Sequence, residues 1–300
     1  MYEMNELQAA CERIGCHWEK NVPLRDYTTF RVGGPVTVML FPNCAEQIAA
    51  AVREFRGKIR LIFVGKGSNL LASDEEIEAV AIHLGKNFSN IKVEKNILIC
   101  EAGATMAQAC QAALQNGLSG LEFAWGIPGS VGGGAYMNAG AYGGEFSDVV
   151  LWCEHVDEAG NIGRYEGKEL DYRYRHSIYS GSRCCITRVA FELKPGDPAE
   201  IQSRMEELLN RRREKQPLEY PSAGSTFKRP EGAYAAALIE QCGLKGTRVG
   251  GAKVSEKHSG FIINYENATC QDILQLIEKV QQVVRDKTGF ELEREVELLR

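Results

Sequence analysis

A chain of 300 residues is too long for one minimal hydrophobic core and predicts two or three compact units. A hydrophobic content of 44% beside 25% charged residues excludes wholesale disorder. The net charge of -5 excludes a broad nucleic-acid face but leaves room for a local anion pocket.

The opening Met1-Tyr2-Glu3-Met4-Asn5-Glu6-Leu7 is acidic and lacks the apolar centre of an export signal. No stretch approaches the roughly 18 apolar residues of a membrane span. A cytoplasmic protein with no membrane partner is therefore expected. After this polar, amphipathic start, Thr29-Phe30-Arg31-Val32-Gly33-Gly34-Pro35 punctuates the chain and precedes an apolar strand over 36–41. Helical spacing follows over 46–55, and a short buried strand over 60–64 ends at Gly65. Strand signals recur over 79–84 and 97–102. Thr105 has the chemistry of an N-cap for a helix running to Asn116, which Gly117 stops.

Residues 149–157 alternate and lead into Ala159-Gly160-Asn161, the pattern of a hairpin, and 185–193 reads as another strand. Pro195-Gly196-Asp197-Pro198 then breaks the chain before a strongly polar helix over 199–215 that ends at Pro217. Composition shifts here, so a domain boundary is expected near residue 200. Beyond it lie a helix over 233–242, a strand over 260–264 and a final strand over 292–299. Between them, Ile273, Leu276, Ile277, Val280 and Val284 form an apolar stripe on what should be the longest helix. The ten cysteines are scattered, only Cys184-Cys185 are neighbours, and no Cys-x-x-Cys suggests a zinc or redox pair. Reduced, mostly buried thiols and no metal are expected.

Two glycine-rich segments stand out. Gly65-Lys66-Gly67-Ser68-Asn69-Leu70 follows a strand, and its glycines let backbone N–H groups converge on an anion, with Ser68 and Asn69 adding side-chain donors. Leu70 stands where a Rossmann fingerprint has its third glycine, and the Gly-Lys-Ser/Thr ending of a P-loop is missing. A tight strand-to-loop turn is the plain alternative. The longer segment, Gly126-Ile127-Pro128-Gly129-Ser130-Val131-Gly132-Gly133-Gly134, suits a backbone lying against a flat or phosphorylated ligand. A mobile surface loop explains less well why Trp125, Val131 and Met137 are interleaved with it. Asn138, Gly140, Ala141 and Tyr142 continue its small and polar character. Together the two loops point to a dinucleotide.

These motifs, followed by Tyr174-Arg175-His176-Ser177 and Gly224-Ser225-Thr226-Phe227-Lys228-Arg229-Pro230, resemble in order the UDP-N-acetylenolpyruvoylglucosamine reductases. The likeness runs from about Asn21 to the C-terminus. It implies an α+β protein: a two-subdomain FAD-binding fold of the vanillyl-alcohol oxidase type at 1–90 and 91–200, and a C-terminal α/β domain for a UDP-sugar at 201–300. It implies non-covalent FAD, with NADPH as hydride donor and a UDP-sugar as small-molecule partners; from the charge no nucleic-acid partner is expected, and the chain is expected to be a monomer. FAD would be held by Gly65 to Leu70, by Gly126 to Ser130, and by Gly132, Gly133, Asn138 and Ala141.

In that chemistry hydride reaches the terminal carbon of an enolpyruvyl ether, so charge grows on its neighbour and must be held and then protonated. The resemblance implies Arg175 as the cation holding that charge, Ser225 as proton donor and Glu295 as the family's C-terminal glutamate. A guanidinium matches a planar carboxylate with two parallel hydrogen bonds. A carboxyl beside an anion helps only if protonated or bridged, so a raised pKa is expected for Glu295. Alternation would put Glu293, Glu295 and Glu297 on one strand face. Lys215, Lys228 and Arg229 are candidates for the diphosphate and uridine, although the family commonly carries an amide where Arg229 stands. The short interval between Arg175 and Ser225 resembles the subtype without a tyrosine-bearing closing loop. Two other functions compete: an oxidase of the same fold with flavin tethered through histidine, and a nucleotide-binding regulator that has lost the reaction.

Overall fold

The computed structural model describes residues 4–300; Met1-Tyr2-Glu3, part of the acidic start, lies outside them. The chain divides into two compact units. One comprises the chain up to Lys20 with Val38–Lys66 and Glu78–Arg211, the other Asn21–Thr37, Gly67–Ile77 and Arg212–Arg300. Each has its own hydrophobic core.

The first unit carries helices α1 (Met4–Ile14), α2 (Ala45–Phe55), α3 (Met106–Gln115) and α4 (Val131–Tyr136), and α5 (Pro198–Lys215) leads out of it. In α2 the apolar positions Ile48, Val52 and Phe55 recur at helical spacing and are fully buried. The α3 start follows the expected chemistry: Thr105 Oγ1 accepts from Gln108 N at 3.1 Å, and Gln108 returns its side-chain oxygen to Thr105 N at 2.8 Å. Gly117, at φ +61°, ends the helix.

A five-stranded antiparallel sheet runs in the order Ile162–Glu166, Val150–Val156, Cys185–Glu192, Ile97–Glu101, Ile91–Glu94. Its outer hairpin is closed by Asp157, whose Oδ1 accepts from Ala159 N and Asn161 N, each at 2.8 Å. A four-stranded sheet has the order His17–Pro23, Pro35–Phe41, Ile77–His83, Arg60–Val64, the last two parallel. His17–Pro23 left no strand signal because most of its side chains are exposed.

The second unit packs α6 (Ala235–Gln241) and α7 (Cys270–Thr288) on a three-stranded sheet of Arg248–Val249, Ala252–Val254 and Ile262–Asn264. The α7 stripe is buried to 3% exposure or less at Ile273, Leu276, Ile277, Val280 and Val284. Thr269 and Asp272 cap its start, and Gly289 at φ +76° ends it. The expected terminal strand is shorter than its apolar pattern suggests. Only Glu297–Leu299 forms a strand, pairing in parallel with Leu70–Ala72. Upstream, the segment runs beside Thr226–Lys228 through one isolated bridge, Phe227 to Arg294. No helix among the described residues is long and apolar enough to cross a membrane. All ten cysteines are free, and all but Cys44 and Cys184 are buried.

Candidate active site

The strand Arg60–Val64 delivers Gly65 directly against the second glycine run, where a Cβ on Gly65 would strike Ser130 Oγ. A side chain there would have to displace the Ser130 hydroxyl. The run is not one uninterrupted loop. Gly126, at φ +84°, turns the chain; Gly129 O accepts from Met106 N at 3.0 Å; then Ser130 caps α4, accepting from Gly133 N at 3.4 Å. Two N-terminal amides of α4 face protein: Val131 N donates to Ala104 O at 2.7 Å and Gly132 N to Ala102 O at 2.9 Å. Gly132 is required by packing, since its Cβ would sit 2.6 Å from that of Ala102. Gly134, buried against Met106 and Phe146, is likewise a packing glycine. Gly133 and Pro128 are exposed, Ile127 half-buried. Ala141 lies in a small hairpin opposite Gly144.

The residues at this junction fit an anionic dinucleotide. No side chain separates Gly65 from Ser130, neither motif contains a carboxylate, and Lys66 is exposed with its ammonium available. None of the described residues forms a group of three or more His, Cys, Asp or Glu suited to a metal ion.

Arg175 sits in the same unit at the tip of a two-residue turn, closed by Arg173 N to His176 O at 3.1 Å and His176 N to Arg173 O at 3.0 Å. Its φ is +53°, a left-handed conformation that an arginine rarely adopts, and its guanidinium lies 5.3 Å from the Tyr174 ring centroid. Asp171 flanks the turn, accepting from Arg173 Nη2 at 2.5 Å with His176 Nε2 at 3.2 Å. The Arg173 hydrogen bond holds the Asp171 carboxyl below its ordinary value, with His176 adding to the effect. Ser177, fully buried, fastens the arm by donating to Tyr136 O at 2.5 Å. Asn138, expected at the cofactor, is 1% exposed. Its amide donates to Arg173 O at 3.1 Å and accepts from Ser147 N at 2.9 Å.

In the second unit, Ser225 follows Gly224, which takes φ +74°. The next residue, Thr226, is fully buried and anchors the segment on three sides. Its N–H donates to Gly260 O at 2.8 Å, its hydroxyl accepts from Ile262 N at 3.1 Å, and its carbonyl accepts from Glu295 N at 2.8 Å. Ser225 and Glu295 thus lie on adjoining segments. Asn69, expected to offer its side chain to an anion, instead donates to Glu295 O at 3.1 Å and accepts from Glu297 N at 2.9 Å through its own carbonyl. Gly67 takes φ +60° and passes so close to Tyr27 O that no side chain fits. Ser68 and Leu70 are half-buried, Leu70 pairing with Glu297.

The three glutamates do not share one environment. Glu293 is exposed and bonds the Lys228 ammonium, Glu295 is half-buried, and Glu297 is exposed at the start of the last strand, its carboxyl pushed up by partial desolvation against an opposing pull from Lys228. Lys228 therefore reaches a diphosphate only by exchanging a carboxylate partner. Lys215 is exposed in the last turn of α5, and Arg229 lies over the Tyr234 ring at 4.6 Å. Thr29 adds a tie that no motif announces: its N–H donates to Gly67 O at 3.2 Å and its hydroxyl donates to Ser222 O at 2.6 Å. Its one sequence signal is that it opens the punctuating segment that ends in Gly33-Gly34-Pro35.

Comparison with known proteins bears on both units. Residues 36–165 match the family described as FAD binding domain, and 216–299 the UDP-N-acetylenolpyruvoylglucosamine reductase C-terminal domain. A UDP-N-acetylenolpyruvoylglucosamine reductase of Caldanaerobacter subterraneus subsp. tengcongensis is 47% identical over 280 residues, 93% of this chain and 92% of that protein. The reductase of that name from Pseudothermotoga lettingae is 44% identical over 291 residues, 96% of this chain and 99% of its own. The crystal structure of the Thermus caldophilus reductase superposes with a TM-score of 0.83 at 35% identity, covering 95% of this chain and 100% of that one. Berberine bridge enzyme from Eschscholzia californica, at 16% identity and a TM-score of 0.52, covers 64% of this chain and 44% of that one and shares the fold alone. The architecture is the expected one: α+β, an FAD-binding fold of the vanillyl-alcohol oxidase type followed by a C-terminal domain.

Proposed function

This chain belongs to the UDP-N-acetylenolpyruvoylglucosamine reductase family, and from that premise we propose that it reduces UDP-N-acetylglucosamine enolpyruvate to UDP-N-acetylmuramate for peptidoglycan precursor synthesis. NADPH is the hydride donor and the cytoplasm the site of reaction, the enzyme acting as a monomer. Bound FAD, held without a covalent link, supplies the two-electron carrier between NADPH and the sugar. Residues 1–90 and 91–200 hold it, with Gly65, Lys66, Gly126, Gly129, Ser130 and Gly133 as the best-placed contacts; residues 201–300 take the sugar.

The chain's own groups manage charge and protons. Hydride arriving at the terminal carbon leaves an enolate spread into the carboxylate. Arg175 meets that planar carboxylate with two parallel donors. Ser225 gives its hydroxyl proton to the adjacent carbon, which is basic enough to take it. Glu295 acts as a neutral carboxyl, so that it adds a donor rather than a second negative charge. Lys215, Lys228 and Arg229 offset the diphosphate and uridine side, Lys228 leaving Glu293 to do so.

The observation that most supports this reading is the 2.8 Å bond from Glu295 N to Thr226 O, which joins the segments carrying Ser225 and Glu295. In FAD-loaded Ser225→Ala, NADPH should bleach the flavin as in wild type. Reoxidation by the enolpyruvyl sugar should slow by about 10²–10⁴-fold, the usual worth of a positioned proton donor. Wild-type reoxidation would remove Ser225 from the reaction.

A further inference from the structure

Arg175 holds a left-handed backbone conformation, unfavourable for an L-residue, which persists only where the surroundings over-determine it. The Arg173 carbonyl at the base of its turn carries two hydrogen bonds. One comes from His176 N at 3.0 Å and closes the turn; the other comes from Asn138 Nδ2 at 3.1 Å and ties the turn to the chain just beyond α4. Asn138 is itself left-handed at φ +47°, 1% exposed, and fixed at its other end by Ser147 N at 2.9 Å. An amide so enclosed, with both ends committed to backbone, is poorly placed to meet a ligand.

We propose that Asn138 is a positioning residue for Arg175, setting the turn's distance from the glycine run so that the guanidinium meets its carboxylate in register. The assignment rests on the role given to Arg175 above. It moves Asn138 from cofactor contact to the second half of the reaction. Misplacing a catalytic group by about 1 Å costs on the order of 10²-fold in rate, so loosening one of the turn's anchors is measurable.

Two substitutions separate the parts. Asn138→Gly keeps the left-handed backbone without strain and removes both bonds. Asn138→Asp keeps the shape and the acceptor for Ser147 N but turns a second acceptor toward Arg173 O. The readout is anaerobic: FAD retained per chain, flavin bleaching by NADPH, and reoxidation by the enolpyruvyl UDP-sugar, for each variant alone and combined with Arg175→Ala. Both Asn138 variants should retain FAD and bleach normally, yet reoxidise about ten- to hundredfold slower. Each double variant should be no slower than Arg175→Ala alone, because the two residues act as one unit.

Losses that multiply in the double variants, FAD loss or slowed bleaching in both single variants, or wild-type reoxidation in both while Arg175→Ala is slow, each overturn the proposal and leave the role of Arg175 standing. If Arg175→Ala itself reoxidises at the wild-type rate, the role of Arg175 fails first and the proposal falls with it.

Discussion

The turn that carries Arg175 and the segments that carry Ser225 and Glu295 differ in where their strain and burial lie. Arg175 stands on a strained tip, tied down by the side chains of Asn138 and Ser177 and flanked by exposed charges at Asp171 and Arg173. Ser225 and Glu295 are set by bonds to both the backbone and the hydroxyl of a fully buried Thr226, with the Asn69 side chain clamping the far side. The first construction spends conformational energy to aim one side chain. The second makes its geometry part of the fold, so disturbing it disturbs stability as well.

The comparison is broken most severely at Arg175. Arg175→Gly removes the charge and relieves the left-handed strain together. It should slow sugar-dependent reoxidation by about 10²–10³-fold while raising unfolding stability by up to about 1 kcal/mol, the strain relieved less the chain freedom that glycine adds, read from urea midpoints. A variant that is slower and less stable would show that the tip is not strained.

Thr226→Val should do the reverse. Losing the hydroxyl leaves Ile262 N–H buried without its acceptor, a cost of about 1–3 kcal/mol. The midpoint should fall with unchanged denaturant slope, and activity should follow the folded fraction. A normal midpoint with lost turnover would move Thr226 from the scaffold to the reaction.

The smallest effect concerns Asp171. Its carboxyl is held below the ordinary value of 3.8, chiefly by the Arg173 hydrogen bond. A depressed acid contributes stability that is fully present above its unfolded value and is lost as pH falls through the folded one. Wild type should therefore exceed Asp171→Asn slightly at neutral pH, and the gap should close below 3.8. The pair is exposed and worth little in water, so a large neutral-pH gap would mean that Asp171 braces the Arg175 turn more firmly than an exposed ion pair can.

Much of the fold was legible because its signals are local. The Thr105 cap, the Asp157 hairpin and the α7 stripe each lie within one element and came out with little change. Strand His17–Pro23 was silent because exposed side chains leave no apolar alternation. The terminal strand is shorter than its pattern because Leu292 and Val296 are apolar for the core, while the ladder begins only at Glu297. In the glycine run, composition suggested ligand contact throughout, but Gly132 and Gly134 answer to Ala102, Met106 and Phe146, neighbours that only the folded chain reveals. The partners of Asn69 and Asn138 were illegible for the same reason. An asparagine in a glycine loop looks like a ligand donor until the distant backbone it holds is known.

The measurement that bears most directly on the account is anaerobic. The purified, FAD-loaded chain is reduced with a stoichiometric amount of NADPH and then mixed with UDP-N-acetylglucosamine enolpyruvate. Flavin absorbance should return in step with formation of UDP-N-acetylmuramate. A flavin that NADPH bleaches, that stays bleached with the sugar, and that recovers only when oxygen is admitted would contradict it.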